Sequence, residues 1–598
     1  MADKIFEREE LLLEDKWDIE SLYPNLEAWE KDIEDIRNLL KEIELKKGKM
    51  GLSSNNLLET LQLRDEIMRL MGNIYVFAHM TLDVDTRVSN SQSLYDKANV
   101  LVVEVEDSLS FIIPELLESE ESLWMGYLEE LQDLKIYAHH LEDILRQKKH
   151  VLSQREESIL AQMGDVARAP QNIYSMLNNA DIKFPNIIDE NGEEVELTQG
   201  NYIPFMENPN REVRQRAFKE FYKTYKSFKN TFAATLSGDL KKNLFMSKLR
   251  NYNSTLEASL STNNVPVAVY ENLLKSIHNN LNGMYKYMET RKRVLEVDEL
   301  HMYDLYTPIV KDADFKIPYD EGIELIKEAL KPLGEDYLKA MNEGFNERWI
   351  DKYENRGKRS GAYSTGSYDS KPFILLNYHD TLDNVFTVAH EMGHSLHTYF
   401  TKKNQPLVYG DYSIFVAEVA STVNELLLLS HMIETTDDKA KKAYLLNHYL
   451  ESFRTTVFRQ SMFAEFESII NKQLQNGEAL TSDYLCSEYR KLNELYYGDG
   501  VVIDSEIDIE WARIPHFYYN YYVFQYATGF SAAVSLVKKM KEEGTEAVEK
   551  YLKFLSSGSS DYPINVLKEA GLDMTSTTPV DDAMKVFREL VEEFDKSV

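Results

Sequence analysis

The residues of this sequence most able to do chemistry are the five at His390-Glu391-Met392-Gly393-His394. They form the pattern HExxH, with two histidines four positions apart. On a helix such positions lie one above the other on one face, so both imidazoles can bind one metal ion. Glu391 lies beside them, where a carboxylate can take a proton from water held by the metal. The spacing favours a zinc site over a merely structural histidine pair.

A third protein ligand is usual in catalytic zinc sites, and Glu418 is the obvious candidate. It lies in an apolar segment, 414–425, that predicts a helix, where an unpaired carboxylate would be costly to bury. The alternative is a Glu418 that caps or pairs on the surface. Glu425 lies on the same helical face and could accept a hydrogen bond from a liganding histidine, although an exposed helical glutamate fits equally. His397 is predicted to be a packed neighbour rather than a ligand.

These motifs resemble those of a known family. HEMGHSLH at 390–397, followed by FVAEVAST at 415–422, is similar to the thimet-oligopeptidase-like zinc metallopeptidases, and within them to the oligoendopeptidase F group. Further similar segments lie along nearly the whole chain, including LYPNLEAW at 22–29, FPNI at 184–187, RSGAYS at 359–364 and IPHFYY at 514–519.

The resemblance implies both a fold and an activity. The fold would be a mainly α, ellipsoidal multi-helix structure with a deep substrate channel. The activity would be that of a zinc endopeptidase acting on short peptides. His390, His394 and Glu418 would then be the ligands of one zinc ion, and Glu391 would be the general base.

A second cluster, at residues 513–529, contains His516 and five tyrosines in nine residues. Tyr519, Tyr522 and Tyr526 fall at i, i+3 and i+7, which predicts one helical face. Such a series is often an aromatic core stripe. Attack on a peptide carbonyl, however, generates an oxyanion, and a Tyr hydroxyl or a His N–H aimed at it would stabilise it. The resemblance points the same way, since members of the family use a His and tyrosines from this region.

Helical periodicity dominates the rest of the chain and predicts a mainly α fold. Strand signals are few. Asn191-Gly192 predicts a tight hairpin, and the runs 361–364 and 373–378 predict short strands beside the HExxH helix. An exposed strand edge there would bind peptide main chain. We place a domain boundary after this hairpin, which gives an N-terminal helical domain at 1–200 and a catalytic domain at 201–598.

Composition narrows the class of partner. The chain has 67 basic and 100 acidic residues and a net charge of −33, which argues against nucleic acid or an anionic membrane. The single Cys486 cannot form an internal disulfide, which fits a reducing cytoplasm. The densely charged start lacks a secretory apolar region, and without a run of about 18 apolar residues no membrane span is expected. We therefore expect a cytoplasmic protein that binds short peptides; its oligomeric state is not indicated.

Two hypotheses from different classes compete. The first is a zinc endopeptidase, and the second is a helical peptide-binding or scaffolding protein with a structural or vestigial metal. Structural zinc sites fill all four positions with protein ligands, usually including Cys, and the single cysteine is far from the motif in sequence. Among enzymes, an aminopeptidase or carboxypeptidase is the runner-up. Such enzymes bind a free terminus through dedicated charged groups, and no such motif stands out.

Overall fold

The computed structural model describes residues 5–310 and 315–598, and α-helices make up most of it. Six helices lie in the first 150 residues: α1 (Leu26–Glu44), α2 (Ser54–Asp83), α3 (Ser89–Leu109), α4 (Ile112–Glu118), α5 (Glu121–Glu130) and α6 (Ala138–Arg146). They share an apolar core in which Trp29, Leu61 and Trp124 are fully buried. The prediction of a mainly α fold is confirmed.

The remaining helices follow in chain order. Up to residue 310 they are α7 (Gln154–Gln162), α8 (Gly164–Ala167), α9 (Ala169–Met176), α10 (Gln199–Glu207), α11 (Arg211–Ser227), α12 (Lys229–Leu249), α13 (Thr255–Ser261), α14 (Val267–Asn279) and α15 (Leu281–Val294). From residue 315 they are α16 (Tyr319–Ala329), α17 (Glu335–Asn346), α18 (Leu382–Asn404), α19 (Ile414–Thr435), α20 (Lys439–Ser452), α21 (Arg459–Gln475), α22 (Ser482–Tyr497), α23 (Phe524–Glu543), α24 (Thr545–Leu555), α25 (Pro563–Glu569) and α26 (Thr578–Ser597).

The described residues also contain seven short strands: β1 (Asn186–Ile188), β2 (Glu194–Glu196), β3 (Leu300–His301), β4 (Ile350–Asp351), β5 (Tyr363–Thr365), β6 (Phe373–Leu375) and β7 (Val501–Val502). β1 and β2 form the antiparallel hairpin predicted around Asn191-Gly192, and β3 pairs in parallel with β7. The third sheet has the order β4-β6-β5 and packs against α18, as predicted for the two runs before the HExxH helix.

The chain forms two compact units, each assembled from three separate stretches. The stretches of the first unit end at Lys149, His431 and Gly571, and those of the second begin at His150, Met432 and Leu572. The sequence-based boundary at residue 200 falls inside the second unit, because the hairpin that suggested it is part of that unit. A single cut in the chain cannot separate units that the chain enters more than once.

Among the described residues, one helix is long and apolar enough to cross a membrane by length and composition. It is α19, and most of its apolar window is buried inside the protein. Composition alone does not distinguish a membrane span from a buried core helix. The burial of α19 favours the core helix.

The three-stranded sheet is tied to the start of the chain by a buried ion cluster around Asp351 on β4. Arg8 Nη1 and Lys358 Nζ lie 2.8 and 2.7 Å from Asp351 Oδ1, and the side chains of Asp351 and Lys358 are completely buried. Burial alone would raise the pKa of Asp351, but Lys358 and Arg8 outweigh it and hold that pKa below its ordinary value. Removing any one of these three charged side chains would leave a buried charge without one of its partners and destabilise the sheet.

We expect Asp351→Ala to destabilise the protein strongly, because it leaves Lys358 buried without its partner. Breaking a buried pair in this way costs about 3–5 kcal/mol. Urea unfolding followed by tryptophan fluorescence measures the loss. Lys31→Ala, which removes a pair with 75% and 47% exposed side chains, is the control and should change little. Equal effects of the two substitutions would contradict the argument.

Candidate functional site

Helix α18 presents the HExxH motif from one accessible face. Thr381 caps the helix by accepting a hydrogen bond from the Asn384 N–H at 3.2 Å, which supplies an acceptor for an otherwise unpaired first-turn donor. The apolar stripe expected from the sequence is buried: Val385, Val388, Ala389, Met392 and Leu396. Its burial fixes the rotation of the helix. His390 and His394 are consequently left on the accessible side, with 28% and 17% of their side chains exposed.

Helix α19 contributes Glu418 to the same place. Its carboxylate is 51% exposed, and the Ser421 hydroxyl donates a 3.0 Å hydrogen bond to Oε2. Hydrogen bonds from His390 and His394 hold the pKa of Glu418 well below its usual range. The carboxylate is therefore ionised at neutral pH and faces the two imidazoles.

The three donor atoms form a nearly equilateral triangle. His390 Nε2 and His394 Nε2 lie 3.2 Å apart, and Glu418 Oε2 lies 3.4 Å from each of them. Donors about 2.0–2.1 Å from one zinc ion, at tetrahedral angles, lie about 3.3–3.4 Å from each other. The donor types and their spacing thus fit one face of a tetrahedral zinc site. Among the described residues, His390, His394 and Glu418 form the one group of three or more His, Cys, Asp or Glu side chains close enough to hold a metal ion.

Glu425 lies about two turns beyond Glu418 on α19 and orients His390. Its Oε1 is hydrogen-bonded to His390 Nδ1, which leaves Nε2 to face the other two donors. Burial disfavours a charged imidazole, but the hydrogen bonds to Glu418 and Glu425 outweigh it and raise the pKa of His390 to about 10. A carboxylate on the far nitrogen of a histidine fixes the ring and increases its basicity as a ligand.

Glu391 lies between the two histidines in sequence and is only 7% exposed. Burial raises the pKa of its carboxyl above the ordinary value, and the imidazoles of His390 and His394 oppose that rise. A carboxylate with a raised pKa is a stronger base near neutral pH.

His397 lies in the core rather than with the donor atoms. Its ring stacks on Tyr412, with 3.7 Å between centroids and 6° between planes, and it is 1% exposed. Burial lowers the pKa of His397 to about 3, so the ring is neutral. This is the packed histidine that the sequence predicted.

The edge strand β5 is fixed on both of its faces. Ser364 Oγ lies 2.8 Å from Ser395 Oγ on α18, and the Tyr363 hydroxyl donates a 2.9 Å hydrogen bond to Asp83 on α2. β6 is the buried central strand, whereas β5 lies at the edge of the sheet. Of the two predicted strand runs, only the first could therefore offer an edge to an extended peptide.

The second predicted cluster lies in the second unit and groups three tyrosines around His516. Ring centroids of Tyr519, Tyr522 and Tyr526 lie 5.6, 6.3 and 6.0 Å from that of His516. The Tyr526 hydroxyl is 3.4 Å from His516 Nε2. Burial lowers the pKa of His516 below its ordinary value, so its ring is neutral near pH 7 and can donate one N–H.

The prediction that these tyrosines share one helical face is wrong. A 3₁₀ turn ends at Tyr518 and α23 begins only at Phe524. Between them Asn520 and Tyr521 have positive φ angles of 48° and 59°. Left-handed backbone costs a bulky residue on the order of 1–3 kcal/mol. The rings meet through this irregular turn and not through helical periodicity.

Comparison with known proteins places the chain. Residues 204–586 match peptidase family M3, and residues 115–184 match the family described as oligopeptidase F. The chain belongs to peptidase family M3. It is 48% identical over 595 residues to oligopeptidase PepF of Bacillus subtilis (strain 168), covering 100% of this chain and 89% of that protein.

Solved structures agree with this M3 membership. A crystal structure from Chlamydophila abortus superposes with a TM-score of 0.94 at 36% identity, over 100% of both chains. Oligoendopeptidase-F from Enterococcus faecium has a TM-score of 0.74 at 40% identity, over 96% of this chain and 99% of that one. The chain is therefore a metallo-oligopeptidase that hydrolyses peptide bonds. The resemblance seen in the sequence is confirmed, and the scaffolding alternative is excluded.

Gly393, inside the HExxH motif, has a role that sequence reasoning missed. A Cβ atom on Gly393 would lie 2.6 Å from the Ser421 Cα and 2.7 Å from the Ala420 carbonyl oxygen. Helices α18 and α19 thus touch backbone to backbone, which brings Glu418 within reach of both histidines. Asn424 on α19 adds to this contact by donating a 3.0 Å hydrogen bond to the Ala389 carbonyl. The available signal was a glycine in a helix interior, where it costs about 1 kcal/mol relative to alanine and usually has a packing reason.

We expect Gly393→Ala to weaken metal binding while the rest of the protein remains folded, because the added methyl group pushes α19 away. A loss of about 10- to 100-fold in metal affinity is typical when the support of a ligand is disturbed. Titration with a zinc buffer and a chromophoric chelator measures it. The control is Gly126→Ala on α5, where a Cβ atom meets nothing within 4 Å. Wild-type affinity in Gly393→Ala would show that the close approach is unimportant.

Proposed function

We propose that this chain is a zinc-dependent endopeptidase that hydrolyses internal bonds of short oligopeptides, with Glu391 as the general base. The donor triangle of His390, His394 and Glu418 carries the proposal. Two imidazole nitrogens and one carboxylate oxygen are the donor types of many catalytic zinc sites, which leave a further position open. A zinc ion held there would polarise water and the scissile carbonyl.

Glu391 accepts the proton of the attacking water. Its place beside both ligand histidines supports this role, and so does its burial, which raises the pKa of its carboxyl. A raised pKa brings a general base closer to the operating pH, where proton transfer is most effective. Once protonated, the same carboxyl can pass the proton to the leaving amine.

The peptide main chain pairs with β5 in this proposal. Main-chain hydrogen bonds to an edge strand bind peptides of many sequences, which suits broad specificity. Ser364 links β5 to Ser395, the residue after His394, so the register of the strand is coupled to the ligand helix. A peptide paired with β5 would therefore be held in a fixed position along α18.

His516 and one or more of Tyr519, Tyr522 and Tyr526 stabilise the oxyanion. The support is their chemistry and their grouping: a neutral imidazole and three phenols are all N–H or O–H donors. Preorganised donors lower the barrier because they need not reorient as charge develops.

A cytoplasmic location is also part of the proposal, supported by the single free Cys486.

The distinction between endopeptidase and exopeptidase is tested by mass spectrometry. Oligopeptides of graded length, one set blocked at both ends and one set with free ends, are digested with and without a chelator. We expect internal cleavage that stops when the chelator is added and returns with zinc. Cleavage of unblocked peptides alone, one residue at a time, would instead indicate an aminopeptidase or carboxypeptidase.

Glu391→Gln should keep zinc but lose most of the turnover, because an amide cannot accept the proton. General base catalysis contributes about 10²–10⁴-fold. Turnover of a blocked oligopeptide and zinc content are measured on the same preparation. Asp383→Asn, an exposed change on the same helix, is the control. Wild-type turnover in Glu391→Gln would refute the assigned role.

Removing an oxyanion donor should lower turnover by about 10²–10³-fold with little effect on zinc content. The variants are His516→Ala, Tyr519→Phe, Tyr522→Phe and Tyr526→Phe, assayed with a blocked oligopeptide. Tyr518→Phe is the matched control, because that hydroxyl lies 2.8 Å from Thr235 and its ring stacks on Tyr174. Wild-type turnover in all four variants would leave the cluster as an aromatic packing stripe.

A further inference from the structure

The turn between Tyr519 and Tyr522 has a conformation that its own sequence disfavours. Asn520 and Tyr521 are consecutive left-handed residues, with φ of 48° and 59°. Asn tolerates this region, but an aromatic residue rarely adopts it. Such backbone persists only where surrounding contacts enforce it. The contacts of Tyr521 therefore show what holds the turn in this conformation.

The Tyr521 N–H donates a 2.6 Å hydrogen bond to Glu467 Oε1 on α21. Glu467 is completely buried, with 0% exposure, and its Oε2 is without a hydrogen-bond partner among the described residues. Among the described residues, the hydrogen bond from the Tyr521 N–H is thus the one that this carboxyl makes. A buried backbone N–H needs an acceptor, and losing it costs the full desolvation of the group.

Other contacts hold the turn without acting on this N–H. The Tyr521 hydroxyl lies 3.1 Å from Thr255 Oγ1, and the Ser259 hydroxyl donates a 2.7 Å hydrogen bond to the Asn520 carbonyl. The Tyr521 ring is 3% exposed. The Thr255 contact anchors the side chain. The Asn520 carbonyl and the Tyr521 N–H belong to one planar peptide group, so Ser259 and Glu467 hold that group from its two sides, and Glu467 alone accepts its N–H.

We infer that Glu467 is a positioning residue whose hydrogen bond keeps Tyr521 left-handed, so that Tyr519 and Tyr522 flank His516. Without that acceptor, the turn would relax toward an ordinary negative φ and carry the two flanking rings with it. The expected effect on turnover rests on the proposed function of the His516 cluster, but the geometry of the turn does not.

The charge of Glu467 is not needed for this role. Burial, assisted by Asp239, raises the pKa of Glu467 to about 8, although the hydrogen bond from Tyr521 opposes the rise. The hydrogen bond from Tyr521 uses one carboxyl oxygen, which accepts in the neutral acid as well as in the ionised form. Glutamine has the same shape and the same acceptor, so Glu467→Gln is a conservative replacement. Glu467→Leu removes the acceptor, and Glu467→Asp withdraws it by one methylene.

The test measures kcat, KM and zinc content for these three variants of the full chain, using a blocked oligopeptide. It also measures the pKa of His516 by NMR of ring-labelled histidines, assigned with His516→Ala. In the Leu and Asp variants we expect kcat to fall about 10- to 100-fold, as for small misplacements of catalytic groups. KM and zinc content should change little. The pKa of His516, which burial lowers, should move back toward its ordinary value.

Two variants provide controls. Glu467→Gln should keep kcat and the pKa of His516. Tyr521→Phe, which removes only the hydroxyl that meets Thr255, should keep both as well. If Glu467→Leu fails to fold, the comparison of the Asp and Gln variants decides the question.

The possible outcomes separate the two proposals. Unchanged kcat and unchanged His516 pKa in the Leu or Asp variant would overturn the inference. So would equal losses in the Gln and Asp variants, since Gln keeps the acceptor that Asp withdraws. A shifted His516 pKa with wild-type kcat would instead uphold the positioning role and refute the catalytic role proposed for the cluster.

Discussion

The close contact between helices α18 and α19 is the constraint on which the candidate metal centre depends. The two histidine donors, His390 and His394, need only the local spacing of one helix. The third donor comes from another helix, and Glu418 can meet the imidazoles only because Gly393 lets the α19 backbone approach α18. A side chain of any size at position 393 would separate the helices. The lack of a side chain at Gly393 is thus as important for the metal-binding geometry as the three donor residues.

Charge balance is the second requirement of this arrangement. Glu391, Glu418 and Glu425 lie close to His390 and His394, and partial burial disfavours the charges of His390 and Glu418. The contacts of Glu418 with both histidines and of Glu425 with His390 offset part of that cost. A divalent cation would offset more, since it adds positive charge at the point that the donors face. The excess of carboxylates over imidazoles is thus consistent with the proposed zinc ion.

The sequence predicted what local spacing determines. The HExxH helix, the two short strands and the mainly α fold follow from periodicity and turn chemistry, and the structure agrees on each. The role of Gly393 could not be found in this way, because it depends on a neighbouring helix. The prediction that the tyrosines share one helical face was wrong for a related reason. Their spacing matches a helix, but the left-handed backbone of Asn520 and Tyr521 interrupts it. The hydrogen bond to Glu467, 54 residues away in the chain, is a tertiary contact that overrides local pattern.

The most direct test of the metal centre is X-ray absorption spectroscopy at the zinc edge of the protein loaded with one equivalent of zinc. We expect nitrogen and oxygen ligands at about 2.0–2.1 Å, with multiple scattering from two imidazoles in the wild type and from one in His394→Ala. A sulfur ligand at about 2.3 Å, or two imidazoles that persist in His394→Ala, would contradict zinc binding by His390, His394 and Glu418.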